Sequence, residues 1–226
     1  MPERGEALAA RALALLPADV SSGVSLGAAL PWQHYPLLTG EDTGGMVARR
    51  AAEFSAGRHA ARQAMAGLGR VRSAIPKGPD RAPVWPDGLV GSITHSAEAC
   101  IAAVALKRSA GDLSGKGLSG IGLDAEPLHA LDPGLAALIT GPLDQVQADA
   151  AMAGGDPALM LFCAKEAAYK AQYPLSQRIL GPEDIVISIE GDRFEACLAA
   201  SPALPTGRIN GRIAICAGHI LAVAWI

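Results

Sequence analysis

Gly91-Ser-Ile-Thr-His-Ser96, followed by Cys100-Ile-Ala-Ala-Val-Ala-Leu106, reads as two strands, 89–95 and 100–106, joined by a short polar turn around Ser96–Glu98. The same outline closes the chain, as Gly211-Arg-Ile-Ala-Ile-Cys216 and then His219-Ile-Leu-Ala-Val-Ala-Trp225. Each is a strand, a turn, and a strand ending in Ala-Val-Ala plus a large apolar residue. In so alanine-rich a chain the echo fits chance as well as duplication. Under duplication the fold class is α+β with two similar halves, and a ligand would sit in a cleft between them.

Outward from these hairpins, an Ala/Arg/Glu pattern over 3–16, closed by Pro17, predicts a first helix. A longer helical pattern runs over 45–68, with Thr43 as its cap and Gly67 or Gly69 as its stop. Residues 73–88, rich in Pro and Gly, read as an ordered loop. A strand is expected at 121–126, helix near 144–153, and a well-marked helix that starts at Asp156 as N-cap, has Pro157 at its first position and ends before Pro174. Residues 185–190 and 193–198 predict a hairpin about Gly191-Asp192, and the last hairpin pairs 212–216 with 219–226. The Gly/Ser-rich run 109–120 marks the junction, dividing the chain into 1–112 and 113–226.

The 226 residues are 50% apolar with a net charge of −3, which excludes a disordered chain and a generally cationic polymer binder. Nine aromatics leave few platforms for stacking bases, so a nucleic-acid module is disfavoured. The average conceals a local bias. Between Arg49 and Arg81, eight basic side chains face two acidic ones, and half of the 14 arginines lie there. Arginine's planar fork suits phosphate, although such a run also fits a solvated helix face. Cys100, Cys163, Cys197 and Cys216 show no C-x-x-C spacing and read as small buried hydrophobes in a reducing compartment. The N-terminus lacks the unbroken apolar core of a signal peptide, and no apolar run is long enough to span a bilayer, so a cytoplasmic protein is expected.

Gly115-Lys-Gly-Leu-Ser-Gly120 fits a dinucleotide fingerprint by letter, but it leads into a strand rather than a helix. A Walker loop fails at Ala110 and Gly117. Asp124 and Glu126 are more informative, because residues two apart in a strand project to the same side. Two adjacent carboxylates repel unless a cation joins them, and hard oxygens suit Mg²⁺; a solvent-facing strand would also accommodate the pair. On the helix beginning at Asp156, Phe162, Lys165, Glu166, Tyr169 and Lys170 form one face, with Leu159, Cys163 and Ala167 opposite for packing. Glu166 and Lys170 also fit an ordinary exposed i,i+4 pair. Ser92, Thr94 and Ser96 alternate against Ile93 and His95 in a strand end suited to an anion, and no G-x-S-x-G elbow presents a nucleophile.

Four blocks occur in a recognisable order: Arg49-Arg-Ala-Ala-Glu-Phe-Ser-Ala-Gly-Arg-His-Ala-Ala-Arg62, residues 81–96, Ile121-Gly-Leu-Asp-Ala-Glu126, and Phe162-Cys-Ala-Lys-Glu-Ala-Ala-Tyr-Lys170. In these the chain resembles the 4′-phosphopantetheinyl transferases, specifically their long single-chain group. The departures are Leu123 in the usual Gly-Ile-Asp-x-Glu and Phe162 where tryptophan is common. The resemblance implies a monomer of two halves related by pseudo-two-fold symmetry. It implies transfer of the phosphopantetheine arm of coenzyme A to a serine of an acyl or peptidyl carrier protein, releasing adenosine 3′,5′-bisphosphate, in siderophore, nonribosomal-peptide or polyketide synthesis. Asp124, Glu126 and Glu166 would hold Mg²⁺ and the pyrophosphate, Lys170 would bind the pyrophosphate with Lys165 accompanying it, and Glu166 would also serve as base. Arg58, Arg62, Arg81 and His95 would hold coenzyme A phosphates, with Ser92 and Thr94 as hydrogen-bonding companions. The competing expectation is another Mg²⁺-dependent nucleotide phosphotransferase or phosphohydrolase, which would turn over without a carrier.

Overall fold

The computed structural model describes residues 2–108, 117–147, 149, 152, 154–202 and 204–226. The expected junction therefore lies outside the described residues except for 117–120. The chain divides into two compact units, Met1–Leu118 and Ser119–Ile226.

In the first unit α1 (Pro2–Leu15) and the short α2 (Ala18–Ser21) precede β1 (Val24–Ala29), α3 (Ala48–Gly67), β2 (Leu89–His95) and β3 (Cys100–Leu106). The β2–β3 hairpin has the bounds expected from sequence, and β1 is an addition. Strand order is β1-β3-β2, antiparallel throughout. Gly27 explains how α3 settles on β1: a Cβ there would lie 2.1 Å from the Ala60 carbonyl oxygen, so only glycine permits this approach. The helix starts later than its pattern. Thr43 closes a turn, accepting from the Met46 amide at 3.0 Å, and Val47 occupies the cap position in extended conformation without a side-chain cap. Buried Ala60, Ala64, Met65, Ile75 and Val104 form the core beneath it.

The second unit runs β4 (Ile121–Pro127), α4 (Pro133–Ile139), β5 (Gln145–Gln147), α5 (Pro157–Ser176), β6 (Val186–Glu190), β7 (Arg193–Cys197), β8 (Arg208–Cys216) and β9 (His219–Trp225). Its sheet has the order β4-β9-β8-β7-β6-β5, with β5 parallel to β6 and the other pairs antiparallel. Two expectations are corrected. Residues 145–147 are strand, because they pair with β6; residues 148, 150, 151 and 153 of that expected helix lie outside the described ones. Helix α5 passes through Pro174, since a proline this near the end removes a single hydrogen bond, and the helix stops at Gln177, left-handed at φ 55°. Its start is as read: the Asp156 carboxylate accepts from the amides of Ala158 and Leu159. Cys100 and Cys163 are buried, whereas Cys197 and Cys216 are half-buried; all four are free thiols.

The hairpins that share the sequence echo occupy equivalent places in their sheets. In β1-β3-β2 and in β4-β9-β8 the last strand is central, and each set carries a 20-residue helix.

Candidate functional site

In the second unit the chemistry gathers where α5 crosses β4. Gly122, Asp124 and Glu126 share one face of the strand by alternation, and a Cβ on Gly122 would lie 1.8 Å from the Ala167 carbonyl oxygen. That contact draws the helix down until Lys170 reaches the strand. Its ammonium donates to Asp124 Oδ1 at 2.6 Å and to the Leu123 carbonyl at 3.2 Å, and stands 3.9 Å from Glu166 Oε2. Asp124 is buried, at 3% exposure, so Lys170 makes an internal ion pair in addition to the i,i+4 contact with Glu166 that spacing allowed.

The electrostatics follow from crowding. Burial, reinforced by the Asp124 charge, pushes the Glu126 carboxyl up to about 7, against the pull of Lys170 and His129. Burial also raises Glu166, with Lys170 opposing and Asp124 adding. For Lys170 burial works against the charged form, but Asp124 and Glu166 outweigh it and lift the ammonium above its ordinary value. The cluster therefore holds more potential negative charge than one lysine neutralises, the condition a divalent cation relieves. Among the described residues no three His, Cys, Asp or Glu side chains already converge as a metal cage. Mg²⁺ does not need one: it usually takes one or two carboxylates and completes its octahedron with water and substrate phosphate oxygens. The donor set of Asp124 and Glu126, with Glu166 beside it, fits that habit.

Lys165 does not join this group. Five residues of helix turn it about 140° from Lys170. It is 5% exposed, and its three protons go to Asp144 Oδ2 at 2.7 Å and to the carbonyls of Ile139 and Pro182, both at 2.8 Å. The single five-residue face expected on α5 is thus split in two.

In the first unit His95 meets α3. Arg50 Nη1 donates to His95 Nε2 at 2.5 Å, and Glu53 accepts from Arg49 at 3.0 Å and Arg50 at 3.2 Å. Burial opposes ionisation of Glu53, but Arg49, His95 and Arg50 prevail and hold its carboxyl below the usual range. Arg58 lies 3.9 Å over the Phe54 ring, its Nε donating to the Ile75 carbonyl; burial brings its pKa down to about 10, which leaves it cationic at neutral pH. Arg62 is an internal strut. Its Nη1 donates to both oxygens of Glu41 at 2.7 Å and Nη2 to the Pro36 carbonyl, while Glu41 also accepts from the amides of Leu38 and Ile75. A phosphate at Arg62 would have to displace this buried pair. Arg81 is exposed, left-handed at φ 70° in a tight turn whose amide donates to the Gly78 carbonyl. Ser92 and Thr94 are buried. Ile93 packs toward Gly57 of α3, which puts His95 on the helix side of β2 and the two hydroxyls on the other.

Arg50 and Glu53 are thus site candidates beyond the residues assigned from sequence, and the spacing of Glu53 from Arg50 (i,i+3) and from Arg49 (i,i+4) was a usable signal. Asp144 and Glu41 carried none, because their partners are 21 residues away along the chain.

A family profile for the 4′-phosphopantetheinyl transferase N-terminal domain matches residues 41–105, from Glu41 through the arginine helix to the β2–β3 hairpin. The 4′-phosphopantetheinyl transferase PptT of Mycobacterium tuberculosis is 41% identical over 151 residues, 65% of this chain and 61% of that protein. Svp of Streptomyces mobaraensis, also named a 4′-phosphopantetheinyl transferase, is 34% identical over 172 residues, 73% of this chain and 66% of its own length. Enterobactin synthase component D of Salmonella typhimurium is 32% identical over 126 residues, 54% of this chain and 48% of that protein. The chain therefore spans less than two thirds of the relatives it matches. With the profile lying on the arginine-bearing unit and the alignments extending past it, the chain belongs to the 4′-phosphopantetheinyl transferase superfamily.

Proposed function

We propose that this protein is a 4′-phosphopantetheinyl transferase that moves the phosphopantetheine arm of coenzyme A onto a serine of an acyl or peptidyl carrier protein. The observation that carries the reading is Lys170, held cationic at 2.6 Å from buried Asp124 with Glu126 and Glu166 close by. Such a site faces a pyrophosphate with a positive group and a set of hard oxygens. Mg²⁺ held by Asp124 and Glu126, with Glu166 adjoining, would neutralise pyrophosphate charge as the bond to the leaving bisphosphate breaks.

The chain's own residues supply the rest. Lys170 offers its ammonium to a pyrophosphate oxygen, exchanging part of its contact with Asp124 for one with substrate. Glu166, 41% exposed at its side chain and raised in pKa, is accessible to take the proton of the incoming serine hydroxyl. The nucleophile belongs to the carrier, which accounts for a chain without a nucleophile elbow. Arg58, cationic and stacked, and the Arg50–His95 pair are the groups of the first unit suited to the remaining phosphates, with Arg81 on its exposed turn. Arg62 contributes through Glu41 by fixing the segment in which Ile75 receives Arg58. Similarity to enterobactin synthase component D supports a siderophore carrier among the possible acceptors.

The test is intact-mass measurement of apo carrier proteins incubated with the protein, coenzyme A and Mg²⁺. A gain of one phosphopantetheine per carrier is expected. Hydrolysis of coenzyme A with no mass gain on several active-serine carriers would instead identify a phosphohydrolase.

A further inference from the structure

Lys165 sits one residue before Glu166, yet it faces a different set of partners. Asp144, its ion-pair partner, is 1% exposed at its side chain and accepts from the Gly141 amide at 2.8 Å and the Ile187 amide at 2.7 Å. The Lys165 ammonium adds the carbonyls of Ile139, at the end of α4, and Pro182. One lysine thus joins α5 to the end of α4, the 141–144 turn, the turn at Pro182–Asp184 and, through Asp144, β6. The ammonium has three donors and three acceptors, so none remains for a ligand.

The opposite flank of α5 lies on β4 through glycine and alanine, at Gly120 and Gly122 against Ala167 and Ala171. Small residues allow close approach on this flank, while Leu159, Met160 and Leu161 seat the same helix in the apolar core. Polar contacts on its two flanks add to that packing in setting the roll of the helix, and Lys170 provides one by bonding Asp124 and the Leu123 carbonyl. On the functional reading above, on which this inference rests, Lys170 turns toward pyrophosphate during the reaction. The partners of Lys165 are all groups of the protein, so its contact does not compete with that ligand.

We infer that Lys165 is a positioning residue: paired with Asp144, it fixes the roll of α5 that presents Glu166 and Lys170 to the reacting pyrophosphate, and it does not itself touch coenzyme A. The assignment of Lys165 to ligand binding is replaced by this one.

The test compares Lys165→Met, Asp144→Asn and the double variant by steady-state transfer to an apo carrier and by amide hydrogen exchange. Each single variant is expected to lower kcat at least tenfold with the KM for coenzyme A within twofold of wild type. The double variant should lose no more than the worse single one, since both remove the same contact. Exchange should accelerate at the Gly141 and Ile187 amides in all three. A tenfold rise in KM for coenzyme A in Lys165→Met, with Asp144→Asn unaffected, would overturn the inference in favour of direct phosphate contact. Unchanged kcat in folded Asp144→Asn, which keeps the shape of the side chain, would reduce the pair to general stability, and this variant decides the matter if Lys165→Met does not fold. Wild-type protein that transfers nothing would bring down the functional reading; the clamp on α5 would then stand or fall on the exchange data alone.

Discussion

Glu126 shows at the residue scale how crowded the carboxylate cluster is. Its carboxyl is raised to about 7 by burial and by Asp124, against 4.5 in an unfolded chain. Between those pH values the folded state keeps a proton that the unfolded state has lost. Stability from this group is therefore fully present below pH 4.5 and falls as pH rises toward 7. In chelator, the melting temperature of wild type minus that of Glu126→Gln should decline from pH 5 to 7.5, and Mg²⁺ should flatten the decline by favouring the charged form. A difference independent of pH would remove Glu126 from the charged cluster. At the same scale, Lys170 and Lys165 show that one residue type in one helix takes opposite roles, the first cationic at an accessible cluster, the second consumed inside the fold.

Among the elements, the contact between α5 and β4 decides whether the carboxylates and Lys170 meet. A methyl group on Gly122 would collide with backbone, the Ala167 carbonyl oxygen at 1.8 Å and the Ala171 amide at 2.7 Å, so the helix itself must move. Gly122→Ala is expected to destabilise the protein by about 1–3 kcal/mol, as overpacking does. It should also cut transfer more steeply than stability, because the shift separates Lys170 from Asp124. Urea unfolding and transfer assays on the same preparation check this; wild-type activity in Gly122→Ala would show that the helix tolerates the displacement. Gly27 under Ala60 is the corresponding contact for α3 on β1, which makes close glycine packing a shared device of the two units.

For the whole molecule, net charge of −3 describes two opposed groups, arginines with His95 in one unit and carboxylates with Lys170 in the other. Chelation with EDTA should then reduce transfer by at least about a hundredfold, the scale of losing a major electrostatic stabiliser, while circular dichroism stays native. Added Mg²⁺ should restore the rate, and transfer that persists in EDTA would show that the carboxylates act without metal. Among the described residues no helix is long and apolar enough to cross a membrane.

Much of this was legible in one dimension, because it depends on neighbours. Alternation placed Asp124 with Glu126, helical spacing placed Glu166 with Lys170, and the β2–β3 hairpin was bounded by its own apolar run and polar turn. Strand β1 was not, because Val24–Ala29 contains serine, glycine and alanine rather than a β-branched run, and its strand character comes from pairing with β3. Nor could spacing separate Arg58 from Arg62, or Lys170 from Lys165. Each pair shares a helix and a charge, and what divides them is a carboxylate 21 residues away, Glu41 in one case and Asp144 in the other. A cation's role depends on which partner folding brings within hydrogen-bond reach and on how far water is excluded there. Both are properties of tertiary packing, so the local sequence supplied the chemical groups and the fold decided which of them stay available to a ligand.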